Sequence, residues 1–193
     1  MSSTEKSTVE LLKSNVDCIF LEMIKEFEHG VPAMKGVKKG WFSVEEKLRK
    51  PVFFGTSARV DRETGDLVMW TDGSSSDIKF NVESLDKLLC ELDGVDVVGI
   101  NIMHTHFNVI SPAVNVVKDY FLKKGITGKI GVYPDHGYWK IPQWIFEEID
   151  DETARKYAKE WVDSGVSMIG GCCGTTPKLI KVFDDFRCEL EIE

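Results

Sequence analysis

Residues 167–180 have the sequence SMIGGCCGTTPKLI, in which a short apolar run, a glycine-rich turn and the start of a helix follow one another. Pro177 suits the first turn of a helix, where its missing N–H is not needed, and one of the two threonines before it suits the N-cap. Cys172 and Cys173 lie side by side in the turn. This stretch therefore predicts one strand–turn–helix unit, with two thiols between the strand and the helix.

The same alternation of strand and helix continues through the rest of the chain. Apolar runs rich in Val, Ile and Phe predict buried strands, and the segments between them have the spacing of amphipathic helices. Because such strands are typical of parallel sheets, the sequence predicts an α/β fold of about five parallel strand–helix units with right-handed crossovers. Gly94, Gly125 and Gly165 suit left-handed C-caps. The predicted strands are 15–23, 49–57, 94–102, 128–134 and 165–171, and the predicted helices lie around 30–38 and at 81–93, 111–125, 151–165 and 176–190.

Length and composition are those of one ordinary globular domain over residues 1–193. The hydrophobic content of 42% is enough for a core without disulfides. A net charge of -8 argues against a nucleic-acid-binding surface, which is normally basic. Residues 1–17 lack the pattern of a signal peptide, and no run approaches the roughly 18 apolar residues of a membrane span. We therefore expect a cytoplasmic protein without nucleic-acid or membrane partners.

The five cysteines are an odd number in a chain without a secretory signal, so we expect reduced thiols rather than a disulfide framework. Cys18 and Cys90 fall in apolar patterns and suit packing. By their local pattern alone, Cys172 and Cys173 are either two small buried residues or a reactive pair.

Polar side chains lie at or directly after the carboxyl ends of all five predicted strands. In a parallel α/β fold the carboxyl ends of the strands share one side of the sheet, and ligands bind there. A chance distribution would scatter such residues over both ends, so their common position favours a functional site for the cysteine pair. The residues are Glu22, Thr56, Ser57, Asn101 to His104, Asp135, His136, Cys172 and Cys173.

Residues 165–180, GVSMIGGCCGTTPKLI, resemble the signature of the homocysteine S-methyltransferase family, zinc enzymes built on a (β/α)8 barrel. Other segments are similar to family segments, and the resemblance covers nearly the whole chain. It implies a single homocysteine-binding-like domain with a partial barrel of TIM type. The segments are DCIFLEM at 17–23, similar to a strand ending in Glu-Thr; GDLVMWTDGSS at 65–75, similar to an Asp-Gly loop; VVGINI at 97–102, similar to a strand ending in Gly-Val-Asn-Cys; and GVYPDHG at 131–137, similar to Tyr-Pro-Asn-x-Gly.

The resemblance also implies a chemistry for the cysteine pair. Cys172 and Cys173 would be two of three protein ligands to Zn2+, with the fourth position left for the sulfur of the substrate. Coordination would convert the thiol of homocysteine to the thiolate that accepts a methyl group, giving methionine or a related thioether. Glu22 and Asn101 are the substrate-side candidates, with Glu22 receiving the amino group. The sequence does not name the methyl donor.

The third ligand departs from the family. Ile102 stands where the resemblance places a Cys, and isoleucine cannot bind zinc. Side chains two residues apart on a strand point the same way, so we expect His104 to project from the face that Ile102 occupies. Imidazole is a good zinc ligand, and the sequence predicts that His104 completes the site. The alternatives are a histidine that only hydrogen-bonds there and a site of little zinc affinity. Asp135 and His136 stand where the family has Asn and a variable residue, and we assign them no catalytic role.

The family opens with an Asp-Gly-Gly turn and three strand–helix units that this sequence does not contain. Five strands cannot close a barrel without partners, so we expect free sheet edges and a possible homo-oligomer. Three functions compete: a zinc-dependent S-methyltransferase, a catalytically inactive truncated relative acting as a binding or interaction module, and a zinc protein of another function.

Overall fold

The computed structural model describes residues 1–69 and 78–190, apart from the side chains of Tyr138 and Trp139. Helices and strands alternate, with 3-10 turns at Glu46–Leu48 and Cys90–Leu92. In chain order the elements are α1 (Ser3–Lys13), β1 (Ile19–Leu21), α2 (Phe27–Ser43), β2 (Val52–Thr56), β3 (Ala58–Val60), β4 (Leu67–Met69), α3 (Val82–Leu89), β5 (Val97–His106), α4 (Phe107–Lys124), β6 (Lys129–Asp135), β7 (Gly137–Lys140), β8 (Gln143–Phe146), α5 (Asp151–Asp163), β9 (Met168–Ile169) and α6 (Pro177–Leu190).

Five strands form one parallel sheet in the order β1-β2-β5-β6-β9, which is their order along the chain. These are the five strands predicted from the apolar runs, and the α/β prediction is confirmed. Gly94, Gly125 and Gly165 have φ values of 84°, 63° and 97°, so the predicted left-handed positions are also confirmed. Thr176 caps α6, because its Oγ1 accepts a hydrogen bond from the N–H of Leu179 at 3.3 Å.

The two faces of the sheet differ in their surroundings. One face packs against the helices, and its side chains, including Phe54, Ile100 and Ile102, belong to the hydrophobic core. Burial of a side chain of this size contributes about 1.5–3 kcal/mol to folding. The opposite face carries Phe20 and Phe53, whose rings stack with centroids 4.7 Å apart. Phe20 is 40% exposed, so part of this second face is open to solvent.

The sheet does not close into a barrel within the part of the chain that the structure describes. β1 and β9 lie at its two edges, and each pairs with one neighbouring strand. The prediction of five parallel strand–helix units is thus confirmed at the level of an α/β fold, whereas a barrel of TIM type is not.

Several elements escaped the sequence analysis. Helix α1 begins with a capping box formed by Ser2 and Glu5. Two antiparallel hairpins, β3–β4 and β7–β8, follow the carboxyl ends of β2 and β6. Of the predicted Asp-Gly loop at 65–75, residues 70–75 lie outside the described residues. None of the described helices combines the length and the apolar character needed to cross a membrane.

Candidate metal centre

The turn between β9 and α6 presents the cysteine pair. It is fixed to the neighbouring strand β6 by backbone hydrogen bonds, because the N–H of Gly170 donates to the Val132 carbonyl at 2.9 Å and that of Cys172 donates to the Pro134 carbonyl at 3.2 Å. Gly174 closes the turn with φ 83°, a left-handed conformation that favours glycine. The cysteine pair is therefore held against the carboxyl end of β6 by the backbone itself.

A β-bulge at His104 brings the imidazole to the same place. Met103 pairs with Tyr133 and Thr105 pairs with Pro134, so His104 is an extra residue between two successive pairs. Its φ is 47°, a left-handed conformation that is uncommon for a residue with a side chain. Bulges of this kind re-aim side chains beside functional sites.

The three candidate ligands come together. The Nδ1 atom of His104 lies 3.8 Å from the Sγ atoms of both Cys172 and Cys173, and the two sulfurs are 3.9 Å apart. Zinc–sulfur bonds of about 2.3 Å and zinc–nitrogen bonds of about 2.05 Å in a tetrahedron place two sulfurs about 3.8 Å apart and nitrogen about 3.6 Å from sulfur. The three atoms are therefore already spaced as zinc ligands, and the set of two thiols and one imidazole suits zinc.

The reasoning that led to His104 was wrong in one step. Ile102 is 0% exposed and lies in the hydrophobic core against the helices, so His104 does not share its surroundings. In a regular strand, side chains alternate between the two faces of the sheet. The bulge interrupts this alternation between Ile102 and His104, so the His104 side chain lies near the cysteines. A cysteine placed at position 102 would therefore project into the core rather than toward the pair.

Electrostatics at the centre are dominated by burial. Burial raises the pKa of the Cys172 thiol to about 11. The backbone N–H of Cys173 acts in the opposite direction, and the Cys173 thiol acts in the same direction as burial. Asp135, the last residue of β6, is 6% exposed, and its Oδ2 lies 3.5 Å from the His104 Nδ1. Burial raises the pKa of the Asp135 carboxyl, against the opposing effect of three surrounding histidines, His104, His106 and His136.

The β7–β8 hairpin contributes aromatic rings to the site. Trp144 meets the His104 ring edge-on with centroids 5.9 Å apart, and Phe146 lies parallel to Trp144 at 6.1 Å. The Nδ1 of His136 donates to the backbone carbonyl of Glu147, directly after the hairpin. The His104 side chain is 10% exposed at this position. Sequence analysis assigned the hairpin no role.

The two substrate-side candidates lie on the same sheet. Glu22 directly follows β1 and is exposed, and its charge contributes to raising the pKa of Tyr133 to about 12, after the larger effect of burial. Asn101 was expected at the end of its strand, but β5 continues to His106 and Asn101 lies inside it, 1% exposed. Neither Nδ2 nor Oδ1 of Asn101 has a hydrogen-bond partner among the described residues. Its pairing partners on either side are Gly55 and Gly131.

Asp135 also lies at the centre, beside His104. The sequence analysis placed it among the polar residues at the strand ends and assigned it no catalytic role. Thr56 and Ser57 belong to the same set, yet both are 0% exposed with hydroxyl oxygens that lack hydrogen-bond partners among the described residues.

Comparison with known proteins places the chain in a family. The model of the homocysteine S-methyltransferase family matches residues 4–186. Homocysteine S-methyltransferase 2 of Arabidopsis thaliana is 32% identical over 107 residues, which cover 46% of this chain and 32% of that protein. Selenocysteine Se-methyltransferase of Brassica oleracea var. italica is 39% identical over 61 residues, which cover 29% of this chain and 18% of that protein. Selenocysteine methyltransferase of Astragalus bisulcatus is 29% identical over 143 residues, which cover 71% of this chain and 36% of that protein.

These matches extend over about a third or less of the relatives' own lengths, with 36% the largest of the three shares. The family match, by contrast, runs through nearly all of this chain and includes both the bulged strand β5 and the turn with the cysteine pair. On that match the chain belongs to the homocysteine S-methyltransferase family.

Proposed function

We propose that this chain holds Zn2+ through Cys172, Cys173 and His104 and methylates a thiol substrate, homocysteine or a close relative. The observation that carries the proposal is the spacing of 3.8, 3.8 and 3.9 Å among the two sulfurs and the imidazole nitrogen. Three protein donors are the usual set of a catalytic zinc site, which keeps one position for water or substrate.

Bound zinc would supply a Lewis acid that stabilises the thiolate of the substrate at neutral pH. The substrate sulfur then forms a bond to the methyl carbon while the bond between that carbon and the donor breaks, and the thiol proton leaves to solvent. Cys172, Cys173 and His104 would hold the ion that orients the reacting sulfur, and the Trp144 ring lies beside the imidazole. Glu22 is the carboxylate proposed to receive the cationic amino group of the substrate.

For the architecture, we propose that residues 1–193 form one homocysteine-binding-like domain corresponding to five strand–helix units of a (β/α)8 barrel. The parallel strand order and the polar residues at one end of the sheet support this assignment. The five free cysteines fit a reducing compartment, and we propose the cytosol.

Metal analysis tests the proposal. We expect the purified protein to contain about one zinc per chain, and Cys172→Ser to lose it. Cys188→Ser is the matched control, because Cys188 is a free, exposed cysteine on α6 and its loss should leave the zinc content unchanged. With homocysteine and a panel of methyl donors, mass spectrometry should detect methionine. A metal-free but folded wild-type protein would overturn the proposal.

A second candidate function is an inactive relative that serves as a binding or interaction module. The observation that favours it is the open sheet, whose partly exposed second face and two edges offer a surface to a partner. Zinc binding without methyl transfer from any donor would favour this candidate or a zinc protein of another function.

A further inference from the structure

Met23 has a strained backbone conformation directly after Glu22. Its φ is 58°, in the left-handed region that a residue with a side chain seldom adopts. Strain of this kind persists where the surrounding structure holds it, and it is concentrated at functional sites. On one side the next residue is fixed, because the N–H of Ile24 donates to the Gly55 carbonyl on β2 at 2.9 Å. The Met23 backbone needs a second contact to keep its conformation.

A methionine sulfur supplies that contact. The N–H of Met23 donates to the Sδ atom of Met103 at 3.3 Å. Met103 belongs to β5, 80 residues further along the chain, and is 5% exposed. A thioether is only a weak acceptor, but a partly buried N–H without a partner is unfavourable. The turn after β1 is therefore tied to β2 through a carbonyl and to β5 through a sulfur.

Gly55 makes the contact with the sulfur possible. β2 lies between β1 and β5 in the sheet, so the Met103 side chain has to cross β2 to reach Met23. A Cβ atom at Gly55 would lie 3.0 Å from the Met103 Sδ and 3.2 Å from the Glu22 Cα, closer than side chains normally approach. The missing side chain thus leaves room for the sulfur beside the backbone of Glu22.

Met103 also lies beside a residue that senses Glu22. It pairs with Tyr133 on β6, and the Glu22 charge contributes to the raised pKa of Tyr133 after the larger effect of burial. Glu22 is exposed, so burial of its own side chain does not fix its direction. The backbone that carries Glu22 is what holds the carboxylate on this side of the sheet.

We propose that Met103 is a positioning residue, whose sulfur holds Met23 in the left-handed conformation that directs Glu22 toward the substrate. This inference rests on the proposed function, in which Glu22 receives the amino group, and deepens it. Leucine at position 103 would fill nearly the same volume but would leave the Met23 N–H without its acceptor. The strained turn would then relax, and Glu22 would point elsewhere.

The titration of Tyr133 tests the inference without metal or substrate. NMR of ring-labelled tyrosine compares Met103→Leu, Glu22→Gln and the double variant. We expect Met103→Leu to lower the pKa of Tyr133 in otherwise wild-type protein and to leave it unchanged in Glu22→Gln protein, because the effect acts through the carboxylate. Met23→Gly should reverse most of the change, since glycine adopts a positive φ without strain. An equal change in both backgrounds, or no change in either, overturns the inference.

Wild-type protein offers a second measurement, which holds even if Met103→Leu does not fold. The Met23 N–H should exchange with solvent more slowly than the same amide in an unstructured peptide. Exchange as fast as in such a peptide overturns the hydrogen bond to Met103 and the inference with it.

Homocysteine binding separates this inference from the proposed function. In zinc-loaded protein we expect Met103→Leu to weaken homocysteine binding by about 2–10-fold and to leave the zinc content unchanged. Unchanged affinity together with a lowered pKa of Tyr133 overturns the link between Met103 and the substrate. Wild-type protein that binds neither zinc nor homocysteine overturns the proposed function, and the Tyr133 titration still decides whether Met103 positions Glu22.

Discussion

His104 has a backbone conformation that favours glycine, with φ 47°. A side chain in the left-handed region costs roughly 1–2 kcal/mol, and such strain is found where function requires a particular orientation. The residue that we propose as a zinc ligand therefore lowers the stability of the metal-free protein.

We expect His104→Gly to be more stable than His104→Ala by about 1 kcal/mol in metal-free protein, because both lose the imidazole and only glycine relieves the positive φ. Urea unfolding measures the difference. The control is the same pair of substitutions at Asn115, an exposed residue within α4. There the alanine variant should be more stable than the glycine variant by about 1 kcal/mol. Equal midpoints for the two His104 variants would contradict the bulge geometry.

Tyr133 provides a test of where Glu22 lies. Its pKa is raised to about 12 by burial and, secondarily, by the Glu22 charge. Both effects favour the neutral phenol, so Tyr133 loses its proton at a lower pH in the unfolded chain than in the folded protein. The free energy of unfolding should therefore fall as pH rises from about 10 to about 12.

We expect Glu22→Gln to lower the pKa of Tyr133, measured by NMR of ring-labelled tyrosine with Tyr133→Phe for assignment. Tyr120 serves as the internal reference, since its raised pKa comes from burial and Asp86 rather than from Glu22. An unchanged Tyr133 titration would remove Glu22 from its neighbourhood.

At the scale of elements, the contact between β5 and β6 depends on one glycine. A side chain at Gly131 would overlap the Asn101 amide oxygen and approach the Met168 methyl group at 3.1 Å. We expect Gly131→Ala to destabilise the protein by about 1–3 kcal/mol. In a protein that also carries Asn101→Ala, the Gly131→Ala substitution should lower stability by less, because the amide oxygen of Asn101 is gone. Urea unfolding of the two single variants and the double variant gives the coupling free energy between the two positions. Losses of stability that simply add would argue against the overlap.

The strands were predictable because each is a continuous apolar run, and a parallel strand buried in a sheet leaves that signature. The approach of His104 to the cysteines was reached by an incorrect argument, since nothing in the sequence marks the bulge. Its extra residue is a histidine rather than glycine, and the apolar pattern before it is undisturbed.

The β7–β8 hairpin did leave a signal. Residues 137–146, GYWKIPQWIF, place β-favouring residues on both sides of a proline, which is typical of two short strands and a turn. Likewise, Ser2 and Glu5 have the spacing of a capping box before α1. Both elements lie outside the long apolar runs from which the strands were predicted.

For the whole molecule, the open sheet predicts self-association. β1 and β9 are short edge strands, and Phe20 on the second face is 40% exposed. Exposed edges and apolar faces favour pairing with another chain. Sedimentation velocity should show the average mass rising with concentration, and Phe20→Ser should weaken the effect. Phe42→Ser, which alters a 46% exposed aromatic on α2, is the control. A monomer at all concentrations would be the contrary result.

The separation of the ligands along the chain also gives the metal a topological role. His104 and Cys172 are 68 residues apart in sequence, so bound zinc would join them into a ring that contains α4, β6, the β7–β8 hairpin and α5. A cross-link that closes a ring of this size lowers the conformational entropy of the unfolded chain. This would stabilise the folded state by about 4 kcal/mol. A protease cut inside the hairpin would therefore leave two pieces still tethered in mild denaturant, and a chelator would release them.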